Sequence, residues 1–159
     1  MAASFTSTGS DTFPAGMVVQ TSRVVYSTHQ SIAATNATGL AISITPKSAT
    51  TEMVVQTYMF GGMASHNDGL GLISSVGGYF CQGSGTPAAV HFKLGAFGGY
   101  DDYDSTPGIG YHMGIEDHNQ TSAITYTWYV TAGTCAINKE PNTGAEHGVS
   151  TMCVFEMST

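Results

Sequence analysis

Two short stretches carry the residues best suited to chemistry. Gly98-Gly99-Tyr100-Asp101-Asp102-Tyr103-Asp104 gathers three carboxylates and two phenols behind a glycine pair. Clustered carboxylates suit a hard cation, so Asp101, Asp102 and Asp104 are candidate Ca²⁺ ligands, although the run lacks the Gly and Glu spacing of an EF-hand loop. The same residues also read as an exposed acidic turn with no ligand. A third reading is a contact surface in which Tyr100 and Tyr103 give rigid amphipathic area and the Asp side chains accept hydrogen bonds from a hydroxyl-rich partner.

The second stretch is His112, Glu116 and His118, which share parity with Gly114 in a segment that reads as a strand. Glu116 and His118 would stand roughly 7 Å apart on one face, from a rise of about 3.3 Å per residue. That spacing fits a solvated or subunit-facing polar stripe, a contact that responds to histidine protonation, or an ion site. Met113 and Ile115 are then expected on the opposite, buried face.

Nothing else points to catalysis. The chain has no GxSxG, HExxH or GxxxxGK[ST] run, and its carboxylates are too scattered to name a glycosidase pair. His29, His66, His91 and His147 sit apart in sequence and read as surface or loop residues. Cys81, Cys135 and Cys153 form no CxxC pair and are odd in number, which favours buried reduced thiols. Asn36-Ala-Thr38 and Asn119-Gln-Thr121 match the glycosylation pattern, but such matches are expected by chance in so Thr-rich a chain. No enzyme activity and no cofactor are expected, apart from the calcium reading of 101–104.

The elements that must position these residues are strands. Leu40, Ile42 and Ile44 alternate with Ala41, Ser43 and Thr45 before Pro46 closes the run. Met53, Val55, Thr57 and Met59 form one face against Glu52, Gln56 and Tyr58. Val90, Phe92, Leu94 and Ala96 do the same against His91 and Lys93, as do Ile124, Tyr126, Trp128 and Val130 against their Thr and Tyr neighbours. Met17–Tyr26 and Val149–Met157 are apolar on both faces, so both should be central strands and are candidates to pair with each other. Gly61-Gly62, Gly77-Gly78, Gly98-Gly99 and Pro107-Gly108 read as turns, and 60–75, 98–111 and 132–148 as the longest irregular stretches.

Composition agrees with strands and loops. The 159 residues include 16 Ser, 21 Thr and 20 Gly, while charged residues are only 9%. Exposed helices would lack their usual Lys, Glu and Arg, which excludes a helix bundle or coiled coil. The expected fold is all-β, an antiparallel sandwich of about eight strands and jelly-roll-like order, spanning 13–159 behind a flexible leader or attachment arm at 1–12. Four Lys+Arg against eleven Asp+Glu give a net charge of −7, which leaves no basic footprint for nucleic acid. No apolar run approaches the ~20 residues of a membrane span, and the start MAASFTSTGSDTF has no signal-peptide pattern.

Thr12-Phe-Pro-Ala-Gly-Met-Val-Val-Gln20, Thr38-Gly-Leu-Ala-Ile-Ser-Ile-Thr-Pro-Lys-Ser-Ala-Thr50 and Ser150-Thr-Met-Cys-Val-Phe-Glu-Met157 resemble, in that order, a β-sandwich module of tail-fibre and related surface proteins of bacteriophages, especially marine, cyanophage-like ones. The resemblance is strong at the two ends of 12–157 and general between them. It implies a virion protein made in the host cytoplasm, commonly a homotrimer, that meets other virion proteins and a host surface glycan or receptor. A fibre or tail-tip role in host attachment is the leading expectation, and a capsid decoration or head-fibre protein the alternative. A carbohydrate-binding module using Tyr100 and Tyr103 follows as a further reading. Apolar strand faces that a small domain cannot cover alone favour self-association on independent grounds.

Overall fold

A computed structural model describes residues 14–34, 36–63, 68–76, 108–141 and 145–159. The chain forms β1 (Val18–Tyr26), β2 (Gln30–Ala33), β3 (Asn36–Ile44), β4 (Glu52–Met63), β5 (Gly69–Ser74), β6 (Gly108–Asp117), β7 (Ile124–Ala132), β8 (Thr134–Ile137) and β9 (Ser150–Met157). The described residues contain no helix, and so none long and apolar enough to cross a membrane.

All strand pairings among the described residues are antiparallel and fall into two sheets. The smaller sheet runs β3-β7-β5, and the larger runs β1-β9-β4-β8-β2 with β6 also paired to β4. The long strand β4 organises the larger sheet. One edge of β4 pairs with β6 from Glu52 to Gly61, while β9 and then β8 lie along the other.

Side-chain alternation decides what the sheets bury between them. Leu40, Ile42 and Ile44 of β3, Ile124, Tyr126, Trp128 and Val130 of β7, and Met53, Val55 and Met59 of β4 form one apolar cluster with Met152 and Val154 of β9. For β3, β4 and β7 these are the faces the sequence pattern assigned inward, and removing them from water is the main stabilising term of such a sandwich. Trp128 is fully buried, and its indole N–H donates to the Thr57 hydroxyl across the sandwich at 2.8 Å. Thr57 in turn donates to the Thr151 carbonyl at 3.1 Å.

The described strands number nine rather than about eight, and several sequence expectations change. Strands β1 and β9 do pair, from Val18↔Met157 to Tyr26↔Ser150, but only β9 is central. Strand β1 closes the sheet as an edge, so its alternate side chains face water, with Val18 and Val25 each 48% exposed. Most of the described part of 60–75 is strand, because β4 continues to Met63 and β5 runs from Gly69 to Ser74. Gly61 and Gly62 make no turn. A Cβ at Gly61 would fall on the Ala136 carbonyl oxygen, and one at Gly62 would meet Pro141 at 2.5 Å, so glycine is needed for close backbone approach. Within 132–148, β8 forms and Lys139 bridges to His147. His29 and His147, distant in sequence, stack at 3.9 Å. The expected strand over Ala89–Phe97 and the leader at 1–12 lie outside the described residues.

Asn138 joins the ends of several strands. Its backbone takes the left-handed conformation at φ 59°, which Asn tolerates better than most residues. Its side-chain amide donates to the carbonyls of Tyr26 (2.9 Å) and Thr28 (3.1 Å), and its Oδ1 accepts from the Ser150 hydroxyl at 2.6 Å.

Candidate functional site

Strand β6 carries the polar residues singled out in the sequence, and its pairing with β4 decides where they point. Residues directly opposite in an antiparallel pair share a face. Glu116 lies opposite Met53, Gly114 opposite Val55, and His112 opposite Thr57. Because Met53, Val55 and Thr57 point into the sandwich, the polar stripe must point inward with them. The expected orientation is therefore reversed. Glu116 is 7% and His118 3% exposed, whereas Met113 and Ile115 are 54% and 63% exposed.

Glu116 spans the two sheets. Its Oε2 accepts from the Ser74 hydroxyl of β5 at 2.9 Å and from the Tyr126 hydroxyl of β7 at 2.7 Å. Its Oε1 is buried with no hydrogen-bond partner among the described residues, so the carboxylate can accept one further donor. Burial, and then the neighbouring Glu116 carboxylate, push the Tyr126 phenol far above its ordinary range. Tyr126 therefore stays a hydrogen-bond donor. His112 is half-buried, and burial lowers its pKa because the charged ring loses hydration.

His118 does not join Glu116. Its Nε2 lies 3.2 Å from the Thr51 hydroxyl, and its Nδ1 accepts from the Gln120 amide at 3.3 Å, which leaves Nε2 as the protonated nitrogen. Thr51 donates to Glu156 Oε1 at 2.6 Å. The same oxygen accepts from the amides of Lys47 (2.8 Å) and Ser48 (3.3 Å), while Oε2 accepts from Gln20 Nε2 at 2.6 Å. Thr51 thus stands between imidazole and carboxylate. A nucleophile relay needs the imidazole in the middle; the order found here fixes the 45–51 turn against β9.

Glu156 was missed by motif reasoning. Its signal is one of parity: it follows Met152 and Val154 on the inward face of β9, where an acid must be fully hydrogen-bonded to be tolerated. Cys135 is buried and its thiol is pushed up to about 12, by burial first and then by Asp68. Cys153 is half-buried on the outward face of β9, so of these two only Cys135 is the interior thiol expected.

The outward face of the larger sheet is apolar in successive rows. Ile115, Val54 and Phe155 lie side by side across β6, β4 and β9, followed by Met113, Gln56 and Cys153, and then by Tyr111, Tyr58 and Thr151. Ile109 and Phe60 continue it at one end. Ile109 and Tyr111 are 56% and 62% exposed.

Tyr100, Asp101, Asp102, Tyr103 and Asp104 lie outside the described residues, and with them the candidate calcium loop. No group of three or more His, Cys, Asp or Glu among the described residues could hold a metal ion. No protein-family model matches the chain, and no curated protein is significantly similar to it.

Proposed function

We propose that this chain is a structural protein of a bacteriophage particle, a fibre or tail-tip component that assembles as a homotrimer and contributes to host attachment. The observation that supports it best is the Glu156 node. The three segments that resemble the phage module meet there: Gln20 from the first, Thr45 to Ser48 from the second, and Glu156 from the third. Gln20 Nε2 donates both to Glu156 and to the Thr45 carbonyl at 2.7 Å, joining residues 25 and 136 positions apart in the chain. Motif residues that build one buried anchor are under a shared physical constraint. A resemblance spread over such residues therefore concerns the scaffold and leaves ligand choice to the loops.

In this reading the virion is the site of action and other virion proteins are neighbours. Tyr100 and Tyr103, with Asp101, Asp102 and Asp104, are the first candidate host-contact residues to test. The test is adsorption of purified, labelled protein to a panel of marine bacterial cells and, in parallel, to phage capsids stripped of surface proteins. Binding to cells, with at least a several-fold loss in the Tyr100→Ala/Tyr103→Ala variant, is expected. Binding to neither target would overturn the virion role.

The exposed apolar face of the larger sheet favours a second reading, a capsid decoration protein that lays this face on the shell. Binding to capsids alone would select it.

A further inference from the structure

We propose that the outward face of the larger sheet is where a second copy of this chain docks. The inference rests on the self-association in the reading above and names one surface for it; because the face meets its own copy, this contact is two-fold and pairs chains, and a trimer needs a further contact.

Three observations carry it. The first is area. With side chains of roughly 200 Å² each, the exposed residues of β6 and the half-buried ones beside them leave about 700 Å² in water, beyond the patch of a typical monomer and near the ~800 Å² per partner of a stable interface. The second is charge. A molecule of net charge −7 meets its copies at least electrostatic cost through a neutral contact, and the rows carry no charge where they cross β6, β4 and β9. Glu52 and Asp117 pair at one end of the face and Arg23 stands on the edge strand, opposite Cys153. The third is the one polar group at the centre of these rows. Gln56 lies half-buried between Met113 and Cys153, its Nε2 in a weak 3.5 Å contact with the Met113 sulfur. An amide carries both donor and acceptor, so Gln56 can be satisfied by the same residue of a copy related by symmetry.

Sheets pack face to face at about 10 Å when both inner faces are apolar. The face of a second copy meets that condition by construction. Docking would cover Ile109, Tyr111, Met113 and Ile115, the most exposed large hydrophobic residues among the described strands.

The experiment is solution mass by light scattering for the wild-type protein, Met113→Lys/Ile115→Lys, and Thr121→Lys/Ser122→Lys as an exposed control of equal charge. The wild type and the control should run at a multiple of 16.5 kDa, and the face variant at that single mass, with unchanged far-ultraviolet circular dichroism. A monomeric wild type, or a face variant that stays assembled, would overturn the proposal. Should the variant fail to fold, peroxide footprinting of the wild type decides. Met113 oxidation should rise several-fold on dilution, and a rate independent of concentration would also overturn it. A monomer that adsorbs to cells sinks this inference and the homotrimer but leaves the host-attachment role standing. An assembly through this face that binds neither cells nor capsids sinks only the virion reading.

Discussion

Burial turns His112 into a pH-dependent element of stability. The folded chain resists charging the ring, so its pKa lies below the ordinary 6.5, while the unfolded chain protonates near that value. The unfolded state therefore binds the extra proton first. Stability is undiminished above about pH 6.5 and is lost as pH falls from there through the folded value. Urea unfolding between about pH 7.5 and 5.5 should show this slope, and His112→Gln should flatten it; identical slopes would mean that other groups dominate. The residue types of this stripe were legible in the sequence, but their direction was not. His112, Glu116 and His118 do share a parity, yet which parity faces inward depends on the strand they pair with. A polar-outside rule gives the wrong answer when the polar groups have partners inside, as Glu116 has in Ser74 and Tyr126.

At the scale of elements, the bounds of the first and last strands were legible and the glycines were not. Met17–Tyr26 and Val149–Met157 became β1 and β9 within one residue at each end. Gly61-Gly62 looked like a turn because glycine usually marks one, whereas here it sits inside β4 where β8 crosses close by. Gly61→Ala should push the Ala136 carbonyl away and strain the β4–β8 pairing, at a cost of about 1–3 kcal/mol, the usual range for overpacking. A urea midpoint equal to the wild type would show that the backbone gives way freely. The same crossing explains why β8 escaped notice. Four residues, Thr134–Ile137, carry too short a pattern to read, and they become a strand because both β4 and β2 offer them free edges.

For the whole molecule, the core rests on the meeting of two sheets, with Trp128 at its centre. Trp128→Ala should cost roughly 3–5 kcal/mol through lost contacts and the cavity left behind. Calorimetry or denaturant unfolding would measure it, and a loss under about 1 kcal/mol would contradict full burial. The all-β class, the inward faces of β3, β4 and β7, and the absence of a basic footprint are legible in the chain alone. Those follow from period-two alternation and charge, which are local properties of the chain. It takes the packed fold to show that β1 lies at an edge of the described sheet, that the acid of β6 points inward while its aliphatic residues face water, and that Gln20, Thr51 and Glu156 meet. Each of these depends on which strands become neighbours, and pairing between segments a hundred residues apart is set by the energy of the whole packed sheet rather than by either segment alone.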